Sequence, residues 1–140
     1  MHQHILAVVD GSNMTETVIQ RAVDEALIKH ARLTILRVLE TPHYLWHVPN
    51  MKKIMAHTKK FVEEEMAEIE TMVSGKLPDE RLESFVISGN PKRRIISYAQ
   101  THETIDLIIA GATGETEEIL TGSTATYIIN HALCDVLIVR

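Results

Sequence analysis

The chain is poor in the features that would commit it to several functional classes. One cysteine, Cys134, occurs in 140 residues, which excludes an internal disulfide and suits a reducing cytoplasm. A basic block is missing: 14 Lys and Arg stand against 19 Asp and Glu, a formal net charge of -5, so sequence-independent nucleic-acid binding is not expected. No apolar stretch approaches the ~20 residues that a membrane span requires. No basic segment followed by an apolar core opens the chain, so no export signal is expected. A Walker loop with its lysine is absent, and no G-x-G-x-x-G follows the first apolar run; P-loop hydrolysis and ordinary dinucleotide binding are disfavoured. Ser12 lies in no G-x-S-x-G elbow and has no base placed beside it, so it is not read as a nucleophile.

What is present describes one globular unit, residues 1–140, with 45% hydrophobic and 24% charged residues. Ile5 to Val9 reads as a strand that ends in Asp10-Gly11-Ser12. Asn13 and Glu16 form a capping-box pattern, and Val18, Ile19, Ala22, Val23, Ala26 and Leu27 follow at helical spacing to about Ala31. Leu33 to Leu39 is a second strand, so the first three elements make a parallel βαβ unit. A loop from Glu40 to Asn50 precedes a long helix, Met51 to Ser74, whose stripe runs through Ile54, Met55, Val62, Met66, Ile69 and Val73. Leu82 to Ile87 is the third strand. Asn90 suits an N-cap and Pro91 the first helical position, with Ile95, Ile96 and Ala99 facing inward. Leu107 to Ala110, a helix from Ser123 to His131 (Ala125, Ile128, Ile129 and Ala132 inward) and Val136 to Val139 complete a parallel α/β sheet with helices on both faces.

The stretch Ile105 to Ser123 organises this pattern. Its apolar run suits a strand buried on both faces. Gly111 and Gly114 follow, where glycine admits positive φ and close backbone approach to a ligand. Gly122-Ser123 opens the last helix, where free N–H groups and the helix dipole suit phosphate. One reading is a phosphate cradle at the carboxyl end of a central strand; the other is an ordinary βα turn. Asp10, Val38 and the Gly111 turn end three different strands, and in such sheets ligands sit beyond those ends.

The eight histidines suggest no metal centre. His43 and His47 have a helical ligand spacing but are flanked by Pro42 and Pro49, with no carboxylate or cysteine beside them. His2 and His4 read as solvated terminal residues, and His102 and His131 as helix-end residues. Cys134 reads as a packing residue, and Tyr44 and Trp46 as packing on the sheet rim.

Taken together, Ile-Leu-Ala-Val-Val-Asp-Gly-Ser at the start, Leu-Arg-Val-Leu in the second strand, Ser-Gly-Asn-Pro before the third helix, Ile-Ile-Ala-Gly-Ala-Thr-Gly, and the closing Cys-Asp-Val-Leu-Ile-Val-Arg resemble the universal stress protein (UspA-like) family over essentially the whole length. The resemblance implies a five-stranded parallel sheet in the order 3-2-1-4-5, of the Rossmann-like, adenine nucleotide alpha hydrolase-like kind. It also implies a homodimer formed through the strand at 136–139. Nucleotide-binding members carry G-x2-G-x9-G-[S/T]; here seven residues separate Gly114 from Gly122, two fewer, and Glu115, Glu117 and Glu118 lie between them. By the same resemblance Asp10 would meet the ribose or adenine side of ATP or AMP. Val38 would bond the adenine edge through its backbone, Ala110, Gly111 and Gly114 would line ribose and phosphates, and Gly122, Ser123 and Thr124 would hold the phosphates, with Mg2+ between them.

The expected function is therefore a cytoplasmic, homodimeric stress or regulatory module that binds ATP or AMP, with at most slow hydrolysis. The alternative is a dimeric scaffold of the same fold that binds no nucleotide and acts through protein contacts. An enzyme on a related α/β fold has the least support, because no catalytic residue is placed. Neither nucleic acid nor a membrane is an expected partner.

Overall fold

A computed structural model describes residues 2–40, 47–112 and 123–140. Its elements are β1 (His4–Val9), α1 (Thr15–Lys29), β2 (Arg32–Leu39), α2 (Met51–Val73), β3 (Leu82–Ser88), α3 (Pro91–Thr101), β4 (Leu107–Gly111), α4 (Ser123–His131) and β5 (Asp135–Val139). The strands form one parallel sheet in the order β3-β2-β1-β4-β5, as expected. Register places Val9 opposite Arg37 and Ala7 opposite Ile109, so the carboxyl ends of β1, β2 and β4 lie side by side.

Alternation along the strands divides the core in two. Ile5, Ala7, Val9, Leu33, Ile35 and Ile109 pack against α1 and α2 on one face. Leu6, Val8, Leu36, Val38, Ile108 and Ala110 pack against α3 and α4 on the other. The central strands are therefore apolar on both sides, which is why they read as continuous runs rather than as alternation. Each large side chain buried here carries about 2–5 kcal/mol on truncation to alanine.

Several local expectations need correction. Asn13 is not the cap of α1: Met14 occupies that position, with no side-chain cap bond. The turn instead uses the side chains before it. Ser12 N–H donates to Asp10 Oδ1 at 2.9 Å and Met14 N–H to Ser12 Oγ at 3.2 Å, and this Asx-type turn takes the place of the capping box. Helix α1 ends at Lys29 rather than near Ala31, because His30 adopts a left-handed conformation (φ 54°). Leu27 and Ile129 are exposed rather than inward, as is Ile54; α2 buries its stripe only over its second half, at Val62, Met66, Ile69 and Val73. His43, Tyr44 and Trp46 lie outside the described residues.

His4 is the largest departure. It is not solvated but 4% exposed, with Nε2 2.7 Å from Thr34 Oγ1 and Nδ1 2.8 Å from Thr104 Oγ1. The two helix-end histidines behave alike. His102 stacks on Tyr98 and His131 on Tyr127, each with centroids 3.9 Å apart, and each Nδ1–H donates to that tyrosine's carbonyl at 2.8 and 2.9 Å. Among the described residues no group of three His, Cys, Asp or Glu is placed to hold a metal ion, and no helix is long and apolar enough to cross a membrane.

Candidate functional site

Because the first two turns and α4 all begin at the same edge of the sheet, a hollow forms there. It has a volume of about 460 Å3, within the range of small-molecule sites. Its floor is apolar: Val8, Val38 and Ala110 from the strands and Ile95 from α3. Its rim is polar, with Asp10 and Ser12 from the first turn, Thr15 from α1, Arg37 and Glu40 from the end of β2, and Ser123 and Thr124 from α4. An apolar slot edged by a few convergent polar groups can take a flat heterocycle with a polar tail.

The pieces are positioned for local reasons. Asn90 Oδ1 accepts from Arg93 N–H at 3.2 Å and Pro91 begins α3, as the Asn-Pro pair anticipated; this cap aims α3 so that Pro91 and Ile95 wall the hollow. At the other wall Ser123 and Thr124 lie in the first turn of α4, whose N–H groups have no acceptor inside the helix and sit at the positive end of its dipole.

Gly111 is needed for a different reason from the one expected. Its φ is not in the left-handed region. A Cβ there would stand 3.0 Å from Met14 Cβ and 3.5 Å from Val18 Cγ2, so glycine lets β4 pass tightly under the start of α1. Gly11 does have positive φ, 77°, and its missing side chain leaves room for Arg37 and Glu65 above the turn.

Of the anticipated site residues, Asp10, Val38, Ala110, Gly111, Ser123 and Thr124 all line this one hollow. Gly114 and Gly122 lie outside the described residues, as do the glutamates between them. Sequence reasoning missed Arg37 and Thr15. A lone arginine inside the apolar run Leu33–Leu39 was the available signal, since a charge on a buried strand needs a reason.

The family model described as the universal stress protein family matches residues 1–140. The chain belongs to that family. A universal stress protein of Staphylococcus aureus is 35% identical over 145 residues, covering 99% of this chain and 84% of the relative. Among solved structures, the universal stress protein UspA from Lactobacillus plantarum matches with a TM-score of 0.88 at 30% identity, covering 99% of this chain and 98% of its own. A universal stress protein in complex with cAMP matches with a TM-score of 0.68 at 20% identity, covering 99% and 97%. The universal stress protein from Archaeoglobus fulgidus in complex with dAMP matches with a TM-score of 0.67 at 18% identity, covering 100% and 98%. The family thus contains members that hold adenine nucleotides on this fold.

Proposed function

We propose that this universal stress protein binds an adenine nucleotide, AMP or ATP, in the hollow at the carboxyl edge of its sheet. The observation that carries the reading is convergence: strand ends from β1, β2 and β4 and the start of α4 surround one hollow, apolar below and polar at the rim. Family members of the same fold hold cAMP and dAMP. The base would lie over Val38 and Ala110 with its edge toward the Val38 backbone. Asp10 would meet the ribose side, and the phosphates would extend toward Gly111, Gly114, Gly122, Ser123 and Thr124. With a triphosphate, Mg2+ would neutralise the phosphate charge. It is a hard cation that takes oxygen ligands.

We further propose that the protein works as a cytoplasmic homodimer, with nucleotide occupancy linked to the choice of partner. Strand β5 is an edge of the sheet, Leu133 before it is 87% exposed and Ile129 on α4 is also exposed. An apolar edge of this kind calls for a partner.

Equilibrium titration with AMP and with ATP plus Mg2+ tests the nucleotide reading, together with mass spectrometry of anything released on denaturing the purified protein. The wild type is expected to bind and Gly122→Val to lose binding. Absence of nucleotide in both assays would favour the scaffold of the same fold that acts through protein contacts alone.

A further inference from the structure

Two buried side-chain polar atoms have no hydrogen-bond partner among the described residues, Thr15 Oγ1 and Arg37 Nε. They belong to different elements, yet both residues line the same hollow. An unpartnered buried donor costs about 1–3 kcal/mol, and folded proteins keep few of them. Two in one cavity indicate partners supplied from outside the chain.

Arg37 is the more unusual. Its neighbours Ile35, Leu36, Val38 and Leu39 are all buried, and its own side chain is only 17% exposed. Its ion pair with Glu65 of α2 is a single long contact, Nη2 to Oε2 at 3.7 Å, which leaves the Nε edge of the guanidinium unused. Gly11 makes room for this placement: a Cβ there would lie 3.0 Å from Arg37 Nη2 and 3.2 Å from both Glu65 oxygens. The guanidinium therefore lies over the turn between β1 and α1.

Position decides which part of a ligand it meets. Arg37 continues the Leu33–Ile35 alternation toward the α1–α2 face, opposite Val38, Ala110 and α4, so it meets a base resting on Val38 only at the edge that reaches the β2 backbone. In the sheet order β2 and β4 are separated by β1, so their ends lie about 10 Å apart. The start of α4 is remote from Arg37 on both counts. Among the described lining residues Arg37 is the one Lys or Arg, while Asp10 and Glu40 are both carboxylates, which oppose an anion at this end.

We propose that Arg37 and Thr15 form a polar subsite that reads the nucleoside half of the ligand. Arg37 Nε–H donates to a ring nitrogen or a ribose oxygen, and the Thr15 hydroxyl bonds a neighbouring acceptor or hydroxyl. The inference rests on the nucleotide reading above. It also separates function from stability. Residues that break the rule of polar satisfaction in a free protein are expected at its sites, and replacing the unpartnered Thr15 hydroxyl by an apolar group of similar shape is neutral or stabilising.

The test is calorimetric titration of adenosine and of AMP into wild type, Arg37→Met, Arg37→Lys and Thr15→Val, with thermal unfolding of each protein. Arg37→Met is expected to weaken both ligands by the same factor, about 10- to 100-fold, and Thr15→Val by about 3- to 10-fold. Lysine, which lacks the planar fork, is expected not to rescue. The melting temperature of Thr15→Val is expected to stay level or rise, while Arg37→Met, which leaves Glu65 without its partner, is expected to lose some stability. Wild type that binds with Arg37→Met and Thr15→Val equally tight would overturn this inference alone and assign the orphan atoms to water. A loss confined to AMP would place Arg37 on phosphate, and a loss in Thr15→Val accompanied by lower stability would mark a structural role; either overturns the subsite. Should Arg37→Met fail to fold, Thr15→Val carries the test. Wild type that binds neither ligand would remove the nucleotide reading and this inference with it.

Discussion

His4 Nε2 lies 2.7 Å from Thr34 Oγ1, and the same hydroxyl donates to Glu83 Oε1 at 2.8 Å. A carboxylate can only accept, so the Thr34 hydrogen is committed to Glu83. His4 must then donate from Nε2, and in the neutral ring its Nδ1, 2.8 Å from the Thr104 hydroxyl, accepts from it. With the imidazole neutral, the chain Thr104 to His4 to Thr34 to Glu83 runs in one consistent direction. Burial, followed by the charge of Arg32, holds the His4 pKa below its ordinary 6.5 against the upward pull of Glu83 and Asp106.

This arrangement makes stability depend on pH. The unfolded chain takes up the His4 proton near 6.5, before the folded chain does, so acidification favours unfolding. The contribution is complete above that value and declines as the pH falls below it. Urea unfolding is expected to give a less stable wild type at about pH 5.5 than at about pH 7.5. His4→Phe, which removes the bonds to both Thr34 and Thr104, is expected to lose about 1–3 kcal/mol at the higher pH and to flatten this part of the pH dependence. An identical slope in the variant would show that other groups produce it.

Gly111 supports a second expectation. A methyl group there meets Met14 Cβ at 3.0 Å, a backbone-anchored atom that cannot turn aside. Gly111→Ala is expected to cost about 1–3 kcal/mol by overpacking, read from the denaturation midpoint at constant slope. Unchanged stability would mean that α1 shifts freely over β4.

The cap of α3 allows a finer measurement. Asn90→Ala removes the acceptor for Arg93 N–H and is expected to cost about 1 kcal/mol, whereas Asn90→Asp should stay within a few tenths. Equal losses in both variants would show that the side-chain oxygen is not what holds the helix start.

The contrast between the two helix starts explains what the sequence made legible. Asn90-Pro91 is read correctly because cap and helix are adjacent and nothing else competes for the first amides. Asn13 looks equally good, but Asp10 and Ser12 reach the turn amides first. Strand interiors such as Leu33–Leu36 were legible from composition, and the sheet order from family resemblance. His4 was not, because its partners stand 30 and 100 residues away and no local pattern announces them. The same holds for the site. Asp10, Ala110 and Gly111 end their strands and could be placed by topology, whereas the value of Arg37 depends on Glu65 and on the room above Gly11, neither of which is near it in sequence.

The assembly proposal has its own test. Leu133→Glu alters a side chain that is 87% exposed, so the folded protomer should tolerate it. If β5 is the dimer edge, sedimentation should show a dimeric wild type and a monomeric variant, both with native circular dichroism. A monomeric wild type, or a variant that stays dimeric, would count against this edge as the interface.

A crystal structure of the protein grown with AMP tests the central claim most directly. The account predicts the base against Val38 and Ala110, with its edge at the Val38 backbone, and the phosphate at the Ser123–Thr124 turn. An empty hollow at saturating AMP, or a nucleotide bound away from these residues, would contradict it.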